Sequence, residues 1–267
     1  MSYLDNLEHY VGKKEETDYI MPIWLPFIPF LIIPVITIAI SAGLFIYAGY
    51  LEYIGDGVAG FGPPVFLFVL MALLILVGVL VHVYVLYKWL DRRNSHFNRS
   101  SALYEEFAYF LEDIANRKGV DIQDKISTIT RDLREARYEE SERSAVLYVI
   151  LYIIFNPIII YIFHFLNEDF VKHSRREVEI LDSFNKILDS LDVDKELSGF
   201  KRGYTFPERN TVVYFVLSLI TFGIFGLYWI YTITVDPNNH FNEHRSMESE
   251  ILDVARQIED ESPSQRS

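Results

Sequence analysis

Cysteine is absent from the 267-residue chain. That excludes disulfides, thiolate metal sites and cysteine nucleophiles. Positive charge is scarce: 24 lysines and arginines stand against 37 acids, a net charge of −13. Nucleic acid is therefore a poor partner, because phosphate needs a basic face. A polybasic grip on anionic lipid is disfavoured for the same reason. No phosphate-binding glycine loop, nucleophile elbow or kinase pattern is present, and the glycines of "GDGVAGFG" have no basic partner beside them. A cleavable signal peptide is not expected either, since residues 1–20 are mixed in charge and the first apolar run is too long for a signal core.

Charge of either sign is missing over four stretches. They are Met21–Tyr50, Pro64–Tyr87, Ala145–Leu166 and Thr211–Val235, with His82 the one strongly polar side chain of the second. At 1.5 Å per residue, each of the first two is long enough to cross ~30 Å of hydrocarbon. The expected class is an all-α integral membrane protein, residing in the cell membrane with the lipid bilayer as its first partner.

Leu51–Pro63 carries acids and glycines but no lysine or arginine, whereas "YKWLDRRNSHFNRS" follows the second run directly. The positive-inside rule then makes the N-terminus and residues 91–144 cytoplasmic and Leu51–Pro63 external. Were the third and fourth runs simple spans, residues 167–211 would lie outside. That segment is rich in Lys and Arg, including Lys172, Arg175, Arg176 and Lys186.

Internal similarity offers another plan. "ERSAVLYVIL" (142–151) parallels "ERNTVVYFVL" (208–217), and "FNPIIIYIF" (155–163) parallels "FGIFGLYWI" (222–230). Related polar passages follow at 168–179 and 239–250, and "SHFNRSSALYEE" (95–106) shares their His-centred core. Three related units are expected, each an apolar element followed by an amphipathic helix. The first is a two-helix hairpin that returns to the side it left. For the others to do likewise, they must turn inside the bilayer at Asn156-Pro157 and at Gly223 with Gly226. An ordinary kinked span is the alternative. The resulting plan is an N-terminal tail (1–20), a transmembrane hairpin (21–90) and cytoplasmic helices (91–144). A second membrane element with its amphipathic helix (145–191), a linker (192–207), a third such element (208–259) and a disordered tail (260–267) follow.

The run Ile220, Thr221, Gly223, Ile224, Phe225, Tyr228 and Trp229 resembles the core of a family of small, mostly uncharacterised prokaryotic membrane proteins. The resemblance covers about residues 208–244. It implies membrane residence and brings no catalytic residues.

Apolar stripes at helical spacing mark Leu103/Phe107/Phe110/Ile114, Ile122/Ile126/Ile129/Leu133, Val178/Leu181/Phe184/Leu188 and Met247/Ile251/Val254/Ile258. Gly119 separates the first two, and Asp121 is a cap for the second. Such stripes pack on one another beneath the membrane or on another subunit, so a homo-oligomer or a cytoplasmic protein partner is expected.

His240 and His244 are four apart and Glu248 extends their face, while His96 and His173 hold related places in the other units. Imidazole and carboxylate suit zinc. The plainer role is hydrogen bonding between units at the membrane–water boundary, and the sequence assigns no catalytic residue, cofactor or metal. His82 and His164 lie in or at the end of apolar runs, where a backbone carbonyl is the simplest partner. A non-enzymatic membrane scaffold is the expected function, membrane-shaping or division-associated. A small channel or transporter subunit with broken helices is the alternative, and a metal-dependent membrane enzyme is a third.

Overall fold

The computed structural model describes residues 2–54, 62–199 and 205–261. These form nine α-helices and a short 3₁₀ turn, with no strand among the described residues. In chain order they are α1 (Tyr3–Gly12), α2 (Lys14–Thr17), α3 (Ile28–Ile54), α4 (Gly62–Lys118), α5 (Gln123–Glu139), α6 (Ala145–Ile154), α7 (Ile158–Ser190), α8 (Thr211–Ile220) and α9 (Ile224–Glu261). Two compact units result: Pro22–Lys88, and Met1–Met21 together with Trp89–Ser267. Most of the expected external turn over Leu51–Pro63, part of the linker and the end of the tail fall outside the described residues.

Pro22–Lys88 contains the apolar length needed to cross a membrane. Leu25–Tyr50 and the run beginning at Phe66 both qualify by length and composition, and their side chains are largely exposed, Phe45 to 80%. Glycines let the two helices meet: Gly43 faces Leu67 and Gly78 faces Ile32. The pairs rise along one helix as they fall along the other, so α3 and α4 run antiparallel. Gly43 leaves no room for a Cβ, which would sit 2.4 Å from the Leu67 side chain.

The other unit has a core that follows the sequence stripes closely. Leu103, Phe107, Phe110 and Ile114 are buried with Ile126, Ile129, Leu133, Met247, Ile251, Val254 and Ile258. Each such side chain contributes about 1.5–3 kcal/mol by leaving water. Gly119, at φ +69°, ends α4, and the Val120 N–H donates back to the Ala115 carbonyl across 2.9 Å. This is the glycine stop expected there. Asp121 does not serve as the N-cap proper. Ile122 holds that position, and Asp121 accepts from the Gln123 N–H instead.

Three expectations change. The apolar elements and their amphipathic helices are not separate: α4, α7 and α9 each run unbroken from exposed apolar surface into the buried core. Val178 is exposed, and the α7 stripe runs instead through Ile180, Leu181, Phe184, Ile187 and Leu188. Residues 1–20 are more than a tail, for Ser2 caps α1 in a capping box and Leu7 and Val11 enter the core.

Pro237 lies inside α9. It has no N–H to offer the Ile233 carbonyl. The buried Arg92 guanidinium supplies that missing donor, Nη2 to Ile233 O at 2.7 Å, and also reaches Asn238 Oδ1 at 2.9 Å.

Two short helical hairpins complete this unit. Tyr214 meets Phe225, Tyr228 and Trp229, and Arg209 grips Asp236 with two hydrogen bonds, so α8 folds back along α9. Tyr148 meets Tyr161 and Phe165, and Arg143 grips Asp169 in the same two-point manner, so α6 folds back along α7. The turns fall at Phe155–Pro157 and at Thr221–Gly223. Gly223 has φ +90°, a conformation that only glycine adopts without strain.

Three asparagines tie the hairpin entrances together. Asn94 brackets Arg143, donating to its carbonyl at 2.8 Å and accepting from its N–H at 3.1 Å. Asn167 likewise donates to Pro207 O and accepts from Arg209 N–H. Asn238 donates to Met21 O and accepts from Met21 N–H.

Candidate functional site

Helices α4, α7 and α9 each bring one histidine of the repeated polar passages to a common centre. The ring centroids of His96, His173 and His240 lie 5.1–5.7 Å apart. One turn further on, α7 adds Glu177 and α9 adds His244, because residues four apart share a helix face. One nitrogen or carboxylate oxygen from each of these five groups lies within 4.8 Å of every other. None of the five is more than 3% exposed.

The outer nitrogens are anchored. His96 Nδ1 lies 2.9 Å from Asp18 Oδ1, His173 Nδ1 3.0 Å from Glu140 Oε2, and His244 Nδ1 2.9 Å from Glu248 Oε1. Each carboxylate fixes the orientation of its ring and directs Nε2 inward. At the centre Glu177 receives the Nε2 atoms of His173, at 2.9 Å, and of His244, with His240 Nε2 at 3.5 Å. Tyr104 also donates to Glu177, across 2.9 Å. Arg99 bridges Asp18 and Glu248 at 2.7 and 2.6 Å. Phe97, Phe170, Phe206 and Phe241 pack together beside the cluster, and Phe97 stacks on His173 at 4.0 Å.

Electrostatics divides the imidazoles. Burial pulls His96 down to about 4 despite Asp18, and holds His240 well below the ordinary histidine value. Burial opposes charge on His173 and His244 too, but Glu177 with Glu140 lifts the former to about 9, and Glu177 with Glu248 lifts the latter to about 10. Glu177 is itself disfavoured as an anion by burial, yet His173 and His244 hold it well below the carboxylate range. Around the cluster Arg99 faces Asp18 and Glu248, while Arg176 is shared between Glu140 and the more exposed Glu139.

Of the residues singled out from sequence, His96, His173, His240 and His244 come together, buried inside the bundle. Glu248 stands behind His244, on its Nδ1 side. Glu177 takes the inner position that sequence reasoning had not assigned, although "HSRRE" and "HFNEH" place Glu177 and His244 at the same offset. Asp18 carried no signal, being a lone acid in a polar segment. His164 lies away from the cluster, between Thr211 and Glu168, and His82 belongs to the apolar part of α4.

A family model described as a domain of unknown function (DUF4234) matches residues 209–254. That segment holds α8 and most of α9, including His240, His244 and Glu248, but not the residues from α4 and α7. No curated protein and no solved structure matches the chain.

Proposed function

We propose that the protein is a non-enzymatic integral membrane scaffold in which three related units anchor a helical bundle at the inner face of the cell membrane. The observation that carries this reading is the character of the two short hairpin tips. Ile153, Ile154 and Phe155 end one; Ile220, Phe222 and Ile224 surround the other, and all are exposed, Phe222 to 97%. A water-facing turn is mostly polar, whereas these are dominated by exposed apolar side chains. Helices α6 and α8 have ten residues each, about 15 Å, or half the hydrocarbon thickness.

A turn at that depth must satisfy its own backbone. The Gly223 N–H donates to Ser218 O at 2.7 Å, the Phe222 N–H to Leu219 O, the Ile224 N–H to Thr221 O, and the Phe225 N–H to Thr221 Oγ1. Around Asn156, the Phe155, Ile158 and Ile159 N–H groups are similarly engaged. This self-satisfied backbone supports hairpins that re-enter rather than cross. Asn94, Asn167 and Asn238 link the three units head to tail in a ring. Shallow wedges take more area in one leaflet than in the other, which supports a membrane-shaping or division-associated role, exercised as a homo-oligomer or with a cytoplasmic partner. The burial of every member of the histidine cluster, none more than 3% exposed, supports this reading over catalysis.

The chain lacks cysteine, so a single introduced thiol reports cleanly. Lys186→Cys in intact cells should resist a membrane-impermeant maleimide and react after permeabilisation. Labelling from outside would falsify the re-entrant plan and require four crossings.

A further inference from the structure

We propose that His96, His173, His240 and His244, with Glu177, bind one divalent first-row transition-metal ion, and that this ion is a structural centre joining α4, α7 and α9. The inference goes beyond the scaffold reading and is independent of how the hairpins sit in lipid.

The donor set decides the class of ion. Four imidazole nitrogens and one carboxylate suit zinc and its neighbours. Calcium and magnesium prefer oxygen, and no thiolate is available for a thiophilic ion. Zinc would take four of the five groups, and an ion of higher coordination number all five.

The surroundings are those of a metal site rather than of a chance cluster. A ligating histidine characteristically gives its second ring nitrogen to a carboxylate. Here three do so, through Asp18 just after α2, Glu140 between α5 and α6, and Glu248 on α9. Their inner Nε2 atoms converge. That of His96 is fully buried and has no hydrogen-bond partner among the described residues. A buried polar atom in that state is costly, and it needs an explanation such as an ion. A divalent cation also suits a centre ringed by the carboxylates of Asp18, Glu140 and Glu248. Each of the three helices contributes the histidine at the repeated place, so the ion joins all three units at one point. The phenyl wall and the burial of all five donors shield the centre from solvent. That is the mark of a structural rather than a catalytic centre.

The test uses the full chain, purified in detergent through a histidine-free tag without chelator. Elemental analysis should find about one equivalent of a first-row metal. Chelator treatment should lower the thermal midpoint by about 10 °C, and reloading with Co²⁺ should restore it and give visible d–d absorption. His240→Asn should shift that absorption and weaken Co²⁺ binding about 10-fold or more, because it removes one of the imidazole donors. Should His240→Asn fail to fold, Glu248→Gln decides the matter: it keeps all five donors and should weaken Co²⁺ binding about 10- to 100-fold by loosening His244. Two results overturn the proposal. One is wild-type protein that holds no metal and shows no d–d bands on Co²⁺ titration. The other is Co²⁺ binding unchanged in a folded His240→Asn or in Glu248→Gln.

Discussion

The hairpin tips and the histidine cluster lie on the same helices, yet they reverse the usual relation between polarity and depth. At the start of α9, Ile224 is 73% exposed, whereas His240 and His244 on the same helix are fully buried. α7 passes likewise from apolar residues at Ile158–Ile160 to His173 and Glu177. A soluble helix keeps one apolar face along its length. These helices instead change character partway along, from exposed apolar surface to a buried interior that accepts charge only when it is paired. The comparison teaches that the polar interior, and not the apolar surface, makes this arrangement specific. Lipid holds any greasy helix, but the cluster accepts only groups that complete its hydrogen bonds.

The most severe way to break the interior is Glu177→Leu. It removes the anion on which His173 and His244 converge and should cost about 3–5 kcal/mol, as removal of one partner from a buried ion pair does. Thermal unfolding in detergent measures it. A loss below 1 kcal/mol would mean that the cluster is not a unit.

On the exterior, Ile154→Lys at the tip of the α6–α7 hairpin should cost about 2.5–3.5 kcal/mol of insertion if the tip is immersed. It should leave stability in detergent nearly unchanged. Equal effects in both media would remove the distinction between tip and core.

The asparagine clamps come next. Asn94→Ala, Asn167→Ala and Asn238→Ala each strand two backbone groups and should cost about 2–3 kcal/mol. The three values should be similar if the units are equivalent, and denaturant titration of the three variants compares them directly.

Smallest is Gly223→Ala, which forces a Cβ into a left-handed turn at about 1–2 kcal/mol. Nothing lies within 4 Å of the added atom, so the whole effect is conformational. A neutral result would show that the turn can relax.

Much of this was legible in the sequence. Periodicity alone identified the faces at Leu103–Ile114, at Ile126–Leu133 and at Met247–Ile258, because apolar spacing on a helix directly reports its buried side. It failed at Val178, where the interior of α7 is polar: Glu177 occupies the turn that an apolar stripe would otherwise fill, and a rule based on hydrophobicity passes over a buried acid. The four histidines were visible through their repeated context, but their depth was not. A histidine beside an apolar run looks the same whether it faces lipid headgroups or three carboxylates from elsewhere in the chain. Asp18 is the extreme case. Its partners His96 and Arg99 lie 78 and 81 positions away, and no local pattern encodes a contact made only after α1 docks. Nor did composition reveal that Arg92 repairs the break at Pro237, since that needs two helices side by side.

The bond between Asn238 and Met21 spans 217 positions, and this fixes an order of events during synthesis. The first hairpin leaves the ribosome long before the residue that fastens its entrance exists. Until α9 is made, Met21 lacks the side chain that brackets its backbone. A chain truncated anywhere before residue 238 leaves the circle open, and quality-control proteases should find it as an unlatched intermediate.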